Sequence, residues 1–241
     1  RSLILENFEQ ALLTNDIDER HSLMNFVLVG GGPTGVELAG ALAEMKKAIL
    51  PKDYPDLDVR KMEINLVQGG NRVLDSMSEN ASEKADKFLQ DLGVSIWKNV
   101  RVTGYDGKIV TTNSDLIFDS ATVIWTAGVQ GALPNGLKAD RFVTRINRIK
   151  GNQFNQVEGY DNIFAIGDIA LMVSDKNPQG HPMMAQPAMQ QGKLLGENLV
   201  KLLEKKPMKP FVYKDKGSMA TIGRNKAVVD LPNYQFSGVF A

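Results

Sequence analysis

Six residues, Gly30-Gly31-Gly32-Pro33-Thr34-Gly35, constrain this chain of 241 residues more than any other stretch. They follow Asn25-Phe26-Val27-Leu28-Val29, a β-branched and aromatic run that reads as a buried strand. They precede VELAGALAEMKKAIL, whose alanines and leucines recur at helical spacing up to Pro51. Through Gly30, Gly32 and Gly35 the turn satisfies GxGxxG. The first glycine of that pattern permits a tight turn, the second lets backbone approach a pyrophosphate, and the third lets the helix pack close to the strand. The helix N-terminus then offers unpaired N–H groups and partial positive charge to phosphate. A purely structural glycine turn is the competing reading at this point.

Along the rest of the chain strand and helix alternate, which predicts an α/β fold with a Rossmann-like parallel sheet. Residues 2–14 carry Leu3, Ile4, Phe8, Ala11 and Leu12 at helical spacing, and 51–61 reads as a loop with two prolines and several aspartates. Ile64–Val67 is a second strand, residues 79–92 a helix stopped by Gly93, and 94–112 a set of short strands around the hairpin signal Asp106-Gly107. A buried strand over Ala121–Trp125 ends at Thr126-Ala127-Gly128; another over Asn162–Ile166 ends at Gly167-Asp168. A helix is expected over about residues 186–205, before Pro207 and Pro210 and a final β-like region. The expected division is a leading helix over 1–23, a unit over 24–130 that contains the β-hairpin insertion, and a third region over 131–241.

Composition removes several classes of chemistry. Lys plus Arg and Asp plus Glu are both 28, so the formal charge is zero and no basic surface for nucleic acid is indicated. The chain has no cysteine, so it supplies no disulfide, thiolate nucleophile, iron–sulfur cluster or CxxC redox pair. With only His21 and His181, a histidine metal site is poorly supplied. No apolar run is long enough to span a bilayer. Redox chemistry here would need an organic cofactor, and no metal is expected.

The glycine fingerprint calls for an acidic residue at the end of the next strand to bond the adenosine ribose. Gln68 occupies that place, displaced by the 51–61 insertion, and Arg72 follows closely. An amide can bond a ribose hydroxyl, but it lacks the charge that repels a 2′-phosphate. The choice between NADH and NADPH therefore stays open.

The string VLVGGGPTGVELAGAL at 27–42, with VIWTAGV at 123–129, NIFAIGDIA at 162–170 and AQPAMQQG at 185–192, resembles the flavoprotein pyridine-nucleotide oxidoreductases. Within them it is similar to the type II NADH:quinone oxidoreductases, single-subunit respiratory dehydrogenases, and DKGSMATIGRNKAVV at 215–229 resembles that family's C-terminal region. The resemblance implies an NAD(H)-binding domain over 24–130, inserted into an FAD-binding domain whose second segment begins at 131. It implies cofactor contacts from Gly30, Gly32, Gly35, Gln68 and Gly128, and flavin contacts from Gly167 and Asp168. Glu37 matches a glutamate beside the nicotinamide and flavin, and Gln186 and Gln190 match amides lining a quinone pocket. The implied reaction is hydride transfer from NADH to FAD and two-electron reduction of a membrane quinone, on the cytoplasmic face of the membrane, in a homodimer.

Two departures from the family pattern stand out. Only one GxGxxG cluster is present, and the chain ends without the amphipathic helices that would meet a membrane surface. The expectation is a fragment of the enzyme, itself soluble, with FAD held weakly.

Plainer roles compete for each residue. Glu37 is read in the first helical turn, where any carboxylate is favoured; Gln186 and Gln190 are an i, i+4 pair that solvation alone explains. Trp97 and Trp125 read as core, His181 as a turn residue, Lys216 as an exposed lysine and Met183, Met184 and Met189 as packing. The rival functions are a non-catalytic nucleotide-binding or interaction flavoprotein module and a ferredoxin-reductase-like flavoenzyme.

Overall fold

In the computed structural model, which describes residues 2–143, 146–174 and 177–239, the helical spacing at the start of the chain yields α1 (Ser2–Leu13) and α2 (Ile17–Met24). Asp16 caps α2, its carboxylate accepting from the N–H groups of Asp18 and Glu19. Phe8, Ala11 and Leu23 sit in the main core, so residues expected only as a leading helix are part of the packing.

Then come β1 (Asn25–Val29), α3 (Pro33–Ala48), the short α4 (Leu50–Asp53), β2 (Glu63–Gln68), α5 (Glu79–Asp91), β3 (Ser95–Lys98), β4 (Val102–Tyr105), β5 (Ile109–Thr112), β6 (Ile117–Asp119) and β7 (Thr122–Trp125). The stretch expected as a loop at 51–61 thus carries part of α4 and a 3-10 turn at Val59–Lys61. Strands β3-β2-β1-β7 form one sheet, in that order and parallel throughout. Every residue of β1 is buried because both faces are covered, as a continuous apolar run requires. Phe26 and Leu28 enter the core built with α1, α3 and α5, whereas Val27 and Val29 pack with Val67, Val110 and Phe118. The hairpin foreseen at Asp106-Gly107 is there, and β6 extends it to a three-stranded antiparallel sheet, β4-β5-β6.

A second compact unit comprises Gly128–Lys216. Its strands are short: β8 (Phe142–Val143), β9 (Arg148–Lys150) and β10 (Ala170–Leu171), followed by α6 (Ala185–Leu203). The strand expected over Asn162–Ile166 is not formed as one. Phe164 makes a single bridge to Gln156, flanked by bonds from Val157 N–H to the Ile163 carbonyl (2.8 Å) and from Ala165 N–H to the Asn155 carbonyl (2.9 Å). The neighbouring backbone turns away on both sides, at Asn155 (φ 62°) and Gly159 (φ 80°), so a ladder cannot extend.

The chain closes with β11 (Ser218–Ile222), β12 (Lys226–Leu231) and β13 (Tyr234–Gly238), an antiparallel sheet. Ala220, Ile222 and Val228 join the main core, and Asp230 accepts from both the N–H and the hydroxyl of Ser78, the cap of α5. Residues 217–241 therefore cluster with 1–127, and the region expected as 131–241 is divided between the two units.

Candidate functional site

The three fingerprint glycines occupy three different physical situations. Gly30 has φ 113°, and a Cβ there would lie 2.8 Å from the backbone nitrogen of Ala127. At Gly35 a Cβ would come within 1.9 Å of the Gly30 carbonyl oxygen and 2.9 Å of the Thr126 hydroxyl, so α3 meets the strand end with no room for a side chain. A Cβ at Gly32 would meet nothing within 4 Å. Gly32 is also the cap of α3, with no side chain capping it and Pro33 at the first helical position, where its missing N–H costs nothing. The N-terminus of a sixteen-residue helix is thus presented uncapped beside backbone that a ligand can approach.

At the carboxyl ends of β1, β2 and β7 lies a cavity of about 370 Å³, lined among others by Gly30, Gln68, Gly69, Gly70, Arg101 and Trp125. The chain leaves β1 toward β2 on one side and has β7 on the other, the switch point at which parallel sheets take their ligands. Gln68 is half-buried there; its Oε1 accepts from Gly31 N–H at 2.9 Å, and its Nε2 donates to the Arg72 carbonyl at 3.2 Å. Arg72 spends its guanidinium on the carbonyls of Met77 (2.9 Å) and Asp75 (2.7 Å). Trp97 is partly buried in a core cluster, donates to Asn65 at 2.8 Å and meets Phe118 edge-on. Trp125 departs from the core role expected of it. It is 62% exposed on edge strand β7, its indole N–H donating to the Ala127 carbonyl at 2.7 Å.

Glu37 is the fifth residue of α3, beyond the first turn in which it was expected. Its carboxylate accepts from Thr221 N–H at 3.3 Å and borders a separate cavity with Glu44, Met45, Gly223 and Arg224. The first unit therefore brings Gly30 and Gln68 together and places Glu37 against β11.

In the second unit Gly128 has φ 76° and open space around it. Gly167 (φ 70°) donates its N–H to Gln191 Oε1 at 2.8 Å, and Asp168 stands exposed in the same 3-10 turn. Gln186 and Gln190 both lie on α6. The Gln190 amide pairs with the backbone of Lys214 at both ends, donating at 2.9 Å and accepting at 3.0 Å. Lys216 is exposed, and so is Met189, which was expected to pack.

His181, expected as a plain turn residue, is 6% exposed and meets Phe211 and Tyr213 edge-on at 5.2 and 5.5 Å. Burial and the nearby Arg148 charge push its pKa down. Arg148, also buried, donates to the carbonyls of Ala170 and His181.

A family model described as pyridine nucleotide-disulphide oxidoreductase matches residues 5–192 of the chain. The chain belongs to the pyridine nucleotide-disulphide oxidoreductases. It is 34% identical over 251 residues to the type II NADH:quinone oxidoreductase Ndh of Mycobacterium tuberculosis, with all of this chain and 53% of that relative covered. To the type II NADH:quinone oxidoreductase of Haemophilus influenzae it is 30% identical over 228 residues, with 95% and 50% covered. The chain spans about half the length of the curated relatives it matches. The structure of NDH2 from Plasmodium falciparum in complex with NADH is similar at a TM-score of 0.87 and 21% identity, over 98% of this chain and 63% of that one. That likeness shows a shared fold. As a pyridine nucleotide-disulphide oxidoreductase this chain contributes no cysteine of its own.

Two buried polar residues escaped the sequence reading. Gln191 (2% exposed) holds Gly167, and Asn198 (0% exposed) pairs with the Lys209 backbone through both ends of its amide, each at 2.8 Å. Gln191 follows Gln190 directly, and the 100° step of a helix turns it to the buried side. Only that helical phase could have flagged it.

Proposed function

We propose that this chain carries the NAD(H)-binding part of a type II NADH:quinone oxidoreductase. The observation that carries this reading is the division of labour among the glycines. Gly30 and Gly35 are closed by close approach, and Gly32 alone is left open, at the uncapped start of α3. The relatives at 34% and 30% identity supply the reaction class.

In this reading the pyrophosphate lies at Gly32 and the N-terminus of α3, whose N–H groups and dipole favour its charge. Gln68, tied to Gly31, shapes the turn beneath the ribose. Glu37 holds a negative charge on α3 at the nicotinamide end, fixed in place by Thr221. The exposed Asp168 carboxylate can accept from flavin hydroxyls, and Gln191 keeps its turn in shape. FAD bound there would supply the hydride acceptor for NADH and the two-electron donor for a quinone. Gln186 is the amide offered to a quinone carbonyl, while Gln190 positions the segment at Lys214. Among the described residues no helix is long and apolar enough to cross a membrane. The quinone places the enzyme at the membrane surface, on its cytoplasmic face in this reading.

Anaerobic stopped-flow absorbance on the FAD-loaded enzyme that carries this chain separates the half-reactions. NADH should bleach the flavin, and a short-chain quinone should restore it. Glu37→Ala should slow bleaching by about tenfold, and Gln186→Ala should slow only the restoration. NADH binding with no bleaching would make the protein a nucleotide-binding module instead.

A further inference from the structure

The cavity at the ends of β1, β2 and β7 carries information about the dinucleotide that the fingerprint does not. Where a carboxylate would bond the ribose and repel a 2′-phosphate, β2 ends in the neutral Gln68. Both ends of the Gln68 amide are already engaged, with Gly31 N–H and the Arg72 carbonyl. Among the described residues that line the cavity, none is acidic, and Arg101 is the one charged side chain.

Arg101 is set up to reach into this space. Its backbone is clamped by Asn113, whose Oδ1 accepts from Arg101 N–H at 2.7 Å and whose own N–H donates to the Arg101 carbonyl at 2.9 Å. Its side chain lies along Gly69: a Cβ added there would stand 3.1 Å from Arg101 Cγ and 3.4 Å from Nε. Arg72, the nearer arginine in sequence, is committed to the carbonyls of Asp75 and Met77. A guanidinium with its five donors, carried on a side chain laid along Gly69 in a cavity whose strand end is neutral, is matched to a phosphate monoester.

We infer that Arg101 binds the 2′-phosphate of NADPH and that this site takes NADPH at least as well as NADH. The inference rests on the reading that a dinucleotide lies on the glycine turn, and it names which one.

Isothermal titration of the chain with NADPH, NADH and adenosine 2′,5′-bisphosphate tests it. The unsubstituted chain should bind NADPH as tightly as NADH or tighter, and the bisphosphate more tightly than 5′-ADP. Arg101→Ala should weaken NADPH and the bisphosphate by about tenfold or more, while moving NADH by less than about threefold. Arg101→Lys, which keeps the charge and loses the fork, should recover part of the loss. The NADPH affinity should also fall more steeply with salt than the NADH affinity. A clear preference for NADH in the unsubstituted chain, or an Arg101→Ala variant that keeps its NADPH affinity or loses both dinucleotides equally, would overturn the assignment. Failure of both dinucleotides to bind the unsubstituted chain would bring down the underlying reading, and this one with it.

Discussion

The two compact units are held together by different kinds of interaction. In the first, a parallel sheet is buried on both faces under apolar side chains: Phe8, Phe26, Leu28, Leu66 and Leu89 on one, Val27, Val29, Val67 and Phe118 on the other. In the second, the apolar cluster is small, built on Ile149, Val157, Ala165 and Ala170, and its strands are two or three residues long. Buried polar side chains do much of the joining there. Arg148 gathers the carbonyls of Ala170 and His181, Gln191 holds Gly167, and Asn198 holds Lys209. Apolar burial tolerates substitution by residues of similar volume, whereas a buried donor that loses its partner pays the full desolvation cost. The units should therefore fail in different ways.

The largest effect is expected in the first unit at Gly35. Gly35→Ala drives a Cβ into the Gly30 carbonyl, and urea unfolding should show a loss of about 3 kcal/mol or more. Arg148→Met comes next. It leaves two carbonyls without their donor and should cost about 2 kcal/mol. Hydrogen exchange should locate that loss in residues 146–174 and 177–183 while β1 and β2 keep their protection. If β1 lost protection equally, the contrast between the units would be wrong.

The smallest effect depends on pH and belongs to His181. Its pKa in the folded chain lies below the ordinary value of about 6.5. The unfolded chain therefore binds the proton more readily, and stability rises with pH across this window. The contribution of the neutral ring is fully present above the ordinary value and is lost as pH falls through the lowered one. His181→Phe should flatten that slope in thermal melts of the second unit. An unchanged slope would mean that the ring is not the titrating group.

The same contrast explains what could be read in the sequence. β1, the glycine turn, α3 and α5 were legible because an apolar run or a helical period reports burial directly. The structural roles of Gly30 and Gly35 were legible because positive φ or close backbone approach calls for glycine at those two positions. Where a run is apolar but its neighbour ends early, as at Asn162–Ile166, composition cannot reveal the missing ladder. Trp125 looked like core because it ends an apolar strand, yet that strand is the edge of the sheet. His181, Gln191 and Asn198 were illegible for a different reason. His181 is buried against the rings of Phe211 and Tyr213 and Asn198 against the Lys209 backbone, contacts that their immediate neighbours in sequence do not announce, and Gln191 shows only in the helical phase of α6. Sequence position alone points to Gln68 and Arg72 at the ribose end, but the structure commits both to loop contacts and brings Arg101 into the cavity instead.

The most direct test of the central claim, that a pyridine dinucleotide sits on the open glycine of the turn, is titration of Gly32→Val with NADH. Gly32 has extended backbone angles (φ −72°, ψ −179°) and no neighbour within 4 Å of a Cβ, so the variant should melt like the unsubstituted chain. Its NADH affinity should nevertheless drop by about tenfold or more, because the side chain fills the space the pyrophosphate needs. A folded Gly32→Val chain that binds NADH as tightly as the unsubstituted one would contradict the account.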